Sequence, residues 1–136
     1  MNRIINPTDI MAPLNNVYSH GMVIPAGARV LHTAGQVGAR PNGVVSPRIE
    51  DQAEQLWENL LAIVRDADME VSDIVKLTAY VVGVENYAAY ATARASFGSS
   101  QTGVNGGVRA AVVKTRVAHR SGIDRRTPVN VALPTL

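Results

Sequence analysis

Cysteine is absent from the 136 residues. That excludes a disulfide scaffold, a thiol nucleophile, cysteine-ligated zinc and iron–sulfur clusters. Three histidines remain as soft ligands, His20, His32 and His119, and their spacing makes no local ligand pair; no metal and no cofactor is expected. Aromatic residues are also scarce, 4% of the chain, and none lies between positions 98 and 136. No apolar run approaches the roughly 18 residues of a membrane span, and no basic-then-apolar leader opens the sequence. These absences predict a soluble, cytoplasmic chain without a membrane partner. The G-x-S-x-G, P-loop, G-x-G-x-x-G and H-E-x-x-H patterns are missing as well, so esterase-type, nucleotide and zinc chemistry have no motif behind them.

What is present is ample apolar content, 46% of the residues. A chain of this length buries about two thirds of its unfolded surface and needs no staple, which predicts a single domain over 1–136. The net charge of +2 conceals an uneven distribution. Eight of the eleven acids lie between Glu50 and Asp73, against Arg65 alone, whereas Arg109 to Arg126 holds six bases and the one acid Asp124. A basic segment invites a test for nucleic acid. The same segment lacks the aromatic platforms that usually accompany a phosphate track, which disfavours nucleic acid as a partner.

Local patterns predict the elements. Residues 1–16, with Pro7 and Pro13, read as an irregular arm, and Tyr18 to Ile24 as a first strand. Ala28 to Ala34 reads as a second strand, closed by Gly35. Pro41-Asn42-Gly43 is a turn. Ser46-Pro47 reads as an N-cap followed by proline at the first helical position, with carboxylates where the helix dipole favours them. Ala53, Leu56, Trp57, Leu60, Leu61, Val64 and Ala67 then recur at three- and four-residue spacing, while Glu54, Glu58, Arg65 and Asp66 take the other face. The acidic block is therefore mostly a solvated helix face.

Ile74 to Val82, rich in branched residues and interrupted by Lys76, reads as a buried central strand. Asn86 caps a second helix with Tyr87, Tyr90, Ala91 and Phe97 as its apolar face. Val108 to Ala118 and Pro128 to Leu133 read as two closing strands. The order β-β-α-β-α-β-β predicts an α+β two-layer domain.

Arginine is the residue type best suited to chemistry here. Arg109 follows a glycine-rich loop and opens a strand, where a guanidinium can hold a small carboxylate through two parallel hydrogen bonds. The competing reading of Arg109 is an ordinary surface charge.

Several stretches occur together in a recognisable order: Tyr18-Ser19-His20-Gly21, then Leu31 to Val37, Asn42 to Val45, Gln52 to Leu60, Ser72 to Val81, and Asn86-Tyr87. Over roughly 80 residues, Tyr18 to about Phe97, they resemble the YjgF/YER057c/UK114 family, also called RidA, of reactive imine and enamine deaminases. The resemblance implies a chorismate-mutase-like α+β subunit, assembled as a homotrimer with a ligand cleft at each subunit interface. It implies an arginine that anchors the carboxylate of a 2-imino or enamino acid, and a water that attacks the imine carbon to give a 2-keto acid and ammonia. Orientation and a carboxylate anchor suffice for such an already electrophilic substrate.

Carried over by position, Tyr18 and Arg109 are the catalytic candidates. Arg109, Ala34, Gly35, Gln36 and Asn130 are the substrate-binding ones. Ala34 stands where the deaminases commonly have serine, Ala91 where they commonly have asparagine, and Arg94 where an aromatic is usual. Val108-Arg109-Ala110-Ala111 is the nearest match to the family's Pro-Ala-Arg-Ser. Asn130, within Val129-Asn130-Val131-Ala132, stands for a glutamate assigned to the water; its amide can bond a water and cannot take its proton. A non-catalytic small-carboxylate-binding or interaction trimer of the same fold is the alternative. The abrupt change of composition after Phe97 also fits a shifted reading frame, which comparison with the genomic sequence tests.

Overall fold

A computed structural model describes residues 2–14, 18–98, 109–117 and 129–131, the last two segments as backbone strands. In chain order the elements are β1 (Arg3–Ile5), β2 (Gly21–Val23), β3 (Arg29–Gln36), α1 (Ile49–Asp66), β4 (Ile74–Val81), α2 (Tyr87–Gly98), β5 (Arg109–Val117) and β6 (Val129–Val131). The chain is α+β, as its patterns predict. The order differs from the expected one by a strand: β1 lies in the stretch read as an irregular arm, and it pairs antiparallel with β2 as a two-stranded sheet. The four-stranded sheet runs β3-β5-β4-β6, with β5 parallel to both β3 and β4, and β6 antiparallel to β4.

α1 forms where the apolar spacing puts it. Ala53, Leu56, Trp57, Leu60 and Val64 are all buried, Glu50 and Asp51 sit in the first turn and Arg65 in the last, each sign where the macrodipole favours it. The helix starts later than Ser46-Pro47 suggests, at Ile49. The Ser46 hydroxyl instead accepts from the Arg48 N–H at 3.2 Å and donates to Asp51 Oδ2 at 2.8 Å, which organises the entry from outside the helix. The exit is a Schellman turn: Met69 N–H donates to the Val64 carbonyl and Asp68 N–H to that of Arg65, both at 2.9 Å, with Asp68 at φ 53°. Met69 and Val64 meet in the core. The Arg29 guanidinium adds a cap from the sheet, 2.6 Å from the Ala67 carbonyl.

The core lies between the helices and one face of the sheet. Leu56, Trp57 and Leu60 of α1 and Tyr90 of α2 pack with Leu77, Ala79 and Val81 of β4, each large side chain contributing about 1.5–3 kcal/mol. Trp57 stacks on Phe97 with ring centroids 6.0 Å apart. The buried face of α2 is rotated from the expected one: Tyr90, Ala93 and Arg94 are buried, while Tyr87 is exposed. An arginine in the stripe hides that face from a count of apolar residues, because its long stem buries like a hydrophobe. On the opposite alternation of the sheet, Val30, His32 and Lys76 are exposed.

Candidate functional site

β3 ends in the three residues with the clearest claim to a ligand. The pairing of β3 with β5 slips between His32 and Gly35, a bulge that re-aims the strand just before Gly35-Gln36. Ala34 and Gly35 are exposed, and a methyl group added at Gly35 would meet nothing within 4 Å. That is open space beside backbone, the situation in which a ligand can approach a main chain closely. Gln36 is half-buried and its amide reaches back toward the Ala34 carbonyl at 3.4 Å.

The loop that follows is held down. Asn59 of α1 donates to the carbonyls of Val37 at 3.1 Å and Ala39 at 2.8 Å, and its own oxygen accepts from Gln55 at 3.0 Å. Between those carbonyls, Gly38 is buried against α1; a Cβ there would collide with the backbone of Gln52. The loop then turns at Pro41-Asn42-Gly43 as expected, with Gly43 at φ 82° and Asn42 Oδ1 accepting from Val44 N–H at 3.1 Å. The Gly35-Gln36 backbone is thus presented by a strand on one side and a loop clamped to a helix on the other.

Tyr18 lies on the segment that enters β2, half-buried and edge-to-face with His20 at 5.6 Å. Arg109 opens β5 in register with Arg29 at the start of β3. Gly35 is six positions further along β3 and pairs with Lys114, so about 20 Å of strand separates it from the Arg109 end at ~3.3 Å per residue. Asn130 pairs with Tyr80 on β4, which pairs in turn with Arg116. That level is close to Gln36, and three strand spacings, roughly 14 Å, lie between them. One chain therefore places Gly35, Gln36 and Asn130 toward one end of the sheet and the Arg109 backbone at the other. The side chains of Arg109 and Asn130 lie outside the described residues. Among the described residues no group of three histidine, aspartate or glutamate side chains is placed to share a metal ion, and no helix is long and apolar enough to cross a membrane.

Two features escape the sequence patterns. Arg29 lies in the predicted second strand and proves to cap α1, and His20 lies in the Tyr18-Ser19-His20-Gly21 stretch and proves to bond Met11 and touch Tyr18. The Ala67 and Met11 carbonyls lie 38 and 9 positions away, so no local spacing signals those two bonds.

Comparison with known proteins adds to this geometry. Residues 10–122 match the family described as endoribonuclease L-PSP. The match runs past Phe97 and takes in β5 with Arg109, while Asn130 falls beyond it. A 2-iminobutanoate/2-iminopropanoate deaminase of Salmonella typhimurium is 38% identical over 66 residues, 48% of this chain and 51% of that protein. A RutC family protein of Pasteurella multocida is 41% identical over 61 residues, 44% of this chain and 47% of that protein. The matched stretch spans about half the length of these curated relatives. A crystal structure of YyfB from Yersinia pestis, a protein of unknown function in the conserved Rid family, superposes with a TM-score of 0.62 at 23% identity, covering 93% of this chain and 91% of that one.

Proposed function

The chain belongs to the endoribonuclease L-PSP family, which is the YjgF/RidA family, and on that premise we propose that it hydrolyses reactive 2-imino acids to 2-keto acids and ammonia in a cleft shared between subunits of a homotrimer. The observation that carries this reading is the division of the candidate residues between the two ends of the sheet. Arg109 starts β5 beside Arg29, and the open backbone at Gly35 is six positions away along the neighbouring strand. A substrate the size of 2-iminopropanoate cannot bridge about 20 Å. A cleft containing both needs the Arg109 end of one chain against the Gly35 end of another. The deaminase name of the Salmonella relative supports the substrate class.

In this reading Arg109 holds the substrate carboxylate, the exposed backbone at Ala34-Gly35 and the Gln36 amide receive the imine end, and Tyr18 shapes the wall. Water adds to the imine carbon to give a carbinolamine. Transfer of a proton to nitrogen lets ammonia leave as the keto group forms. The site supplies anchoring and orientation, because the substrate carbon is already electrophilic. Asn130 favours the second reading, a trimer of the same fold that binds a small carboxylate without turnover, since a carboxamide orients water and does not accept its proton.

Freshly generated 2-iminopropanoate decides between them. Arg109-dependent consumption, with the Arg109→Ala variant falling at least about 100-fold in kcat/KM for loss of a charge-assisted anchor, supports the deaminase. Saturable binding of pyruvate with no imine consumption supports the binding trimer. A monomer in sedimentation overturns both.

A further inference from the structure

His20 gathers more contacts than a solvent-facing histidine requires. β1 and β2 pair over three positions, ending at Ile5 with Gly21, and a two-stranded ribbon of that size is marginal by itself. One residue further out, His20 N–H donates to Asn6 Oδ1 at 2.8 Å. The His20 ring nitrogen Nε2 lies 2.7 Å from the Met11 carbonyl; a carbonyl only accepts, so Nε2 carries the proton. The same ring meets Tyr18 edge-to-face, with planes at 83°. Between them Ser19 is 3% exposed, and its hydroxyl has no hydrogen-bond partner among the described residues. Among those residues the segment is held by packing and by its histidine.

We propose that His20 is a positioning residue for Tyr18: its imidazole ties the arm at Met11, beside the backbone bond to Asn6, to the segment entering β2 and fixes the attitude of the phenol ring. Arm, histidine and tyrosine then form one mechanical unit. Loosening the arm turns the tyrosine. The catalytic consequence rests on the deaminase reading, whereas the mechanical coupling does not.

Two substitutions separate the two jobs of the ring. His20→Phe keeps an aromatic edge beside Tyr18 and removes the donor to Met11; His20→Gln keeps a donor amide and removes the ring. Fluorotyrosine labelling of the full chain gives resonances for its four tyrosines, with Tyr18 assigned by Tyr18→Phe. In His20→Phe, amide exchange of the arm rises about five- to tenfold, the loss expected for one net hydrogen bond, and the Tyr18 resonance moves with it while those of Tyr80, Tyr87 and Tyr90 stay. His20→Gln restores the arm's protection.

For 2-iminopropanoate, His20→Phe lowers kcat/KM about fivefold, and the same substitution has no further effect in a Tyr18→Leu background, because contacting residues couple non-additively. An arm that loosens while Tyr18 stays put overturns the proposal, as does a Tyr18 resonance that moves while arm exchange is unchanged. If the unmodified protein consumes no imine, the deaminase reading fails, and the exchange and fluorine measurements still decide the coupling.

Discussion

β3 and β4 are strands of equal length in the same sheet, and they do opposite work. β4 lies between β5 and β6 and buries Ile74, Val75, Leu77, Ala79 and Val81. β3 is an edge strand with no fully buried residue; Leu31 is half-buried against the core, and Ala34 and Gly35 stand open. Their compositions follow: branched and large in β4, small and polar toward the end of β3. The difference teaches that the fold separates holding together from staying accessible. A central strand under two helices carries the packing, and an edge strand is free to offer its backbone.

That contrast can be broken by substitution, starting with the deepest. Leu77→Ala in β4 is expected to cost about 2–5 kcal/mol, the lost transfer energy plus the cavity, read as a fall in the urea midpoint; a loss under about 1 kcal/mol would mean that β4 is not the strand the helices cover. Gly38→Ala, just past the end of β3, drives a methyl group into the Gln52 backbone and is expected to cost about 1–3 kcal/mol as overpacking. That result would sharpen the contrast by showing where access ends and packing resumes. Gly35→Ala, three residues earlier and facing open space, is expected to stay within about 0.5 kcal/mol of the parent while weakening pyruvate binding. A large stability loss there, with binding intact, would erase the distinction between the two strands.

α1 was the most legible part of the sequence, because the stripe from Ala53 to Val64 reports its own burial through a 3.6-residue period. β4 was legible from its branched residues. β1 was not: three residues form it, and its reason for existing is the pairing of Arg3, Ile4 and Ile5 with a strand some 20 positions away. The helix entry at Ser46 misleads in the same way, since its hydroxyl serves Arg48 and Asp51 before the helix begins. Of the candidate site, Gly35-Gln36 could be placed at a strand end from composition. The parallel register of β5 on β3, which sets the Arg109 backbone at the far end from Gly35, is a long-range property that no window of residues encodes.

The bulge between His32 and Gly35 has a further consequence. An exposed edge strand offers a row of unpaired amides and carbonyls on which a foreign strand can grow, and Val30 adds an apolar side chain to the invitation. A strand that kinks after four residues cannot template a long, flat ladder. The irregularity that re-aims β3 before Gly35 is therefore also expected to limit fibrillar self-association, so that straightening β3 would be expected to cost solubility before stability.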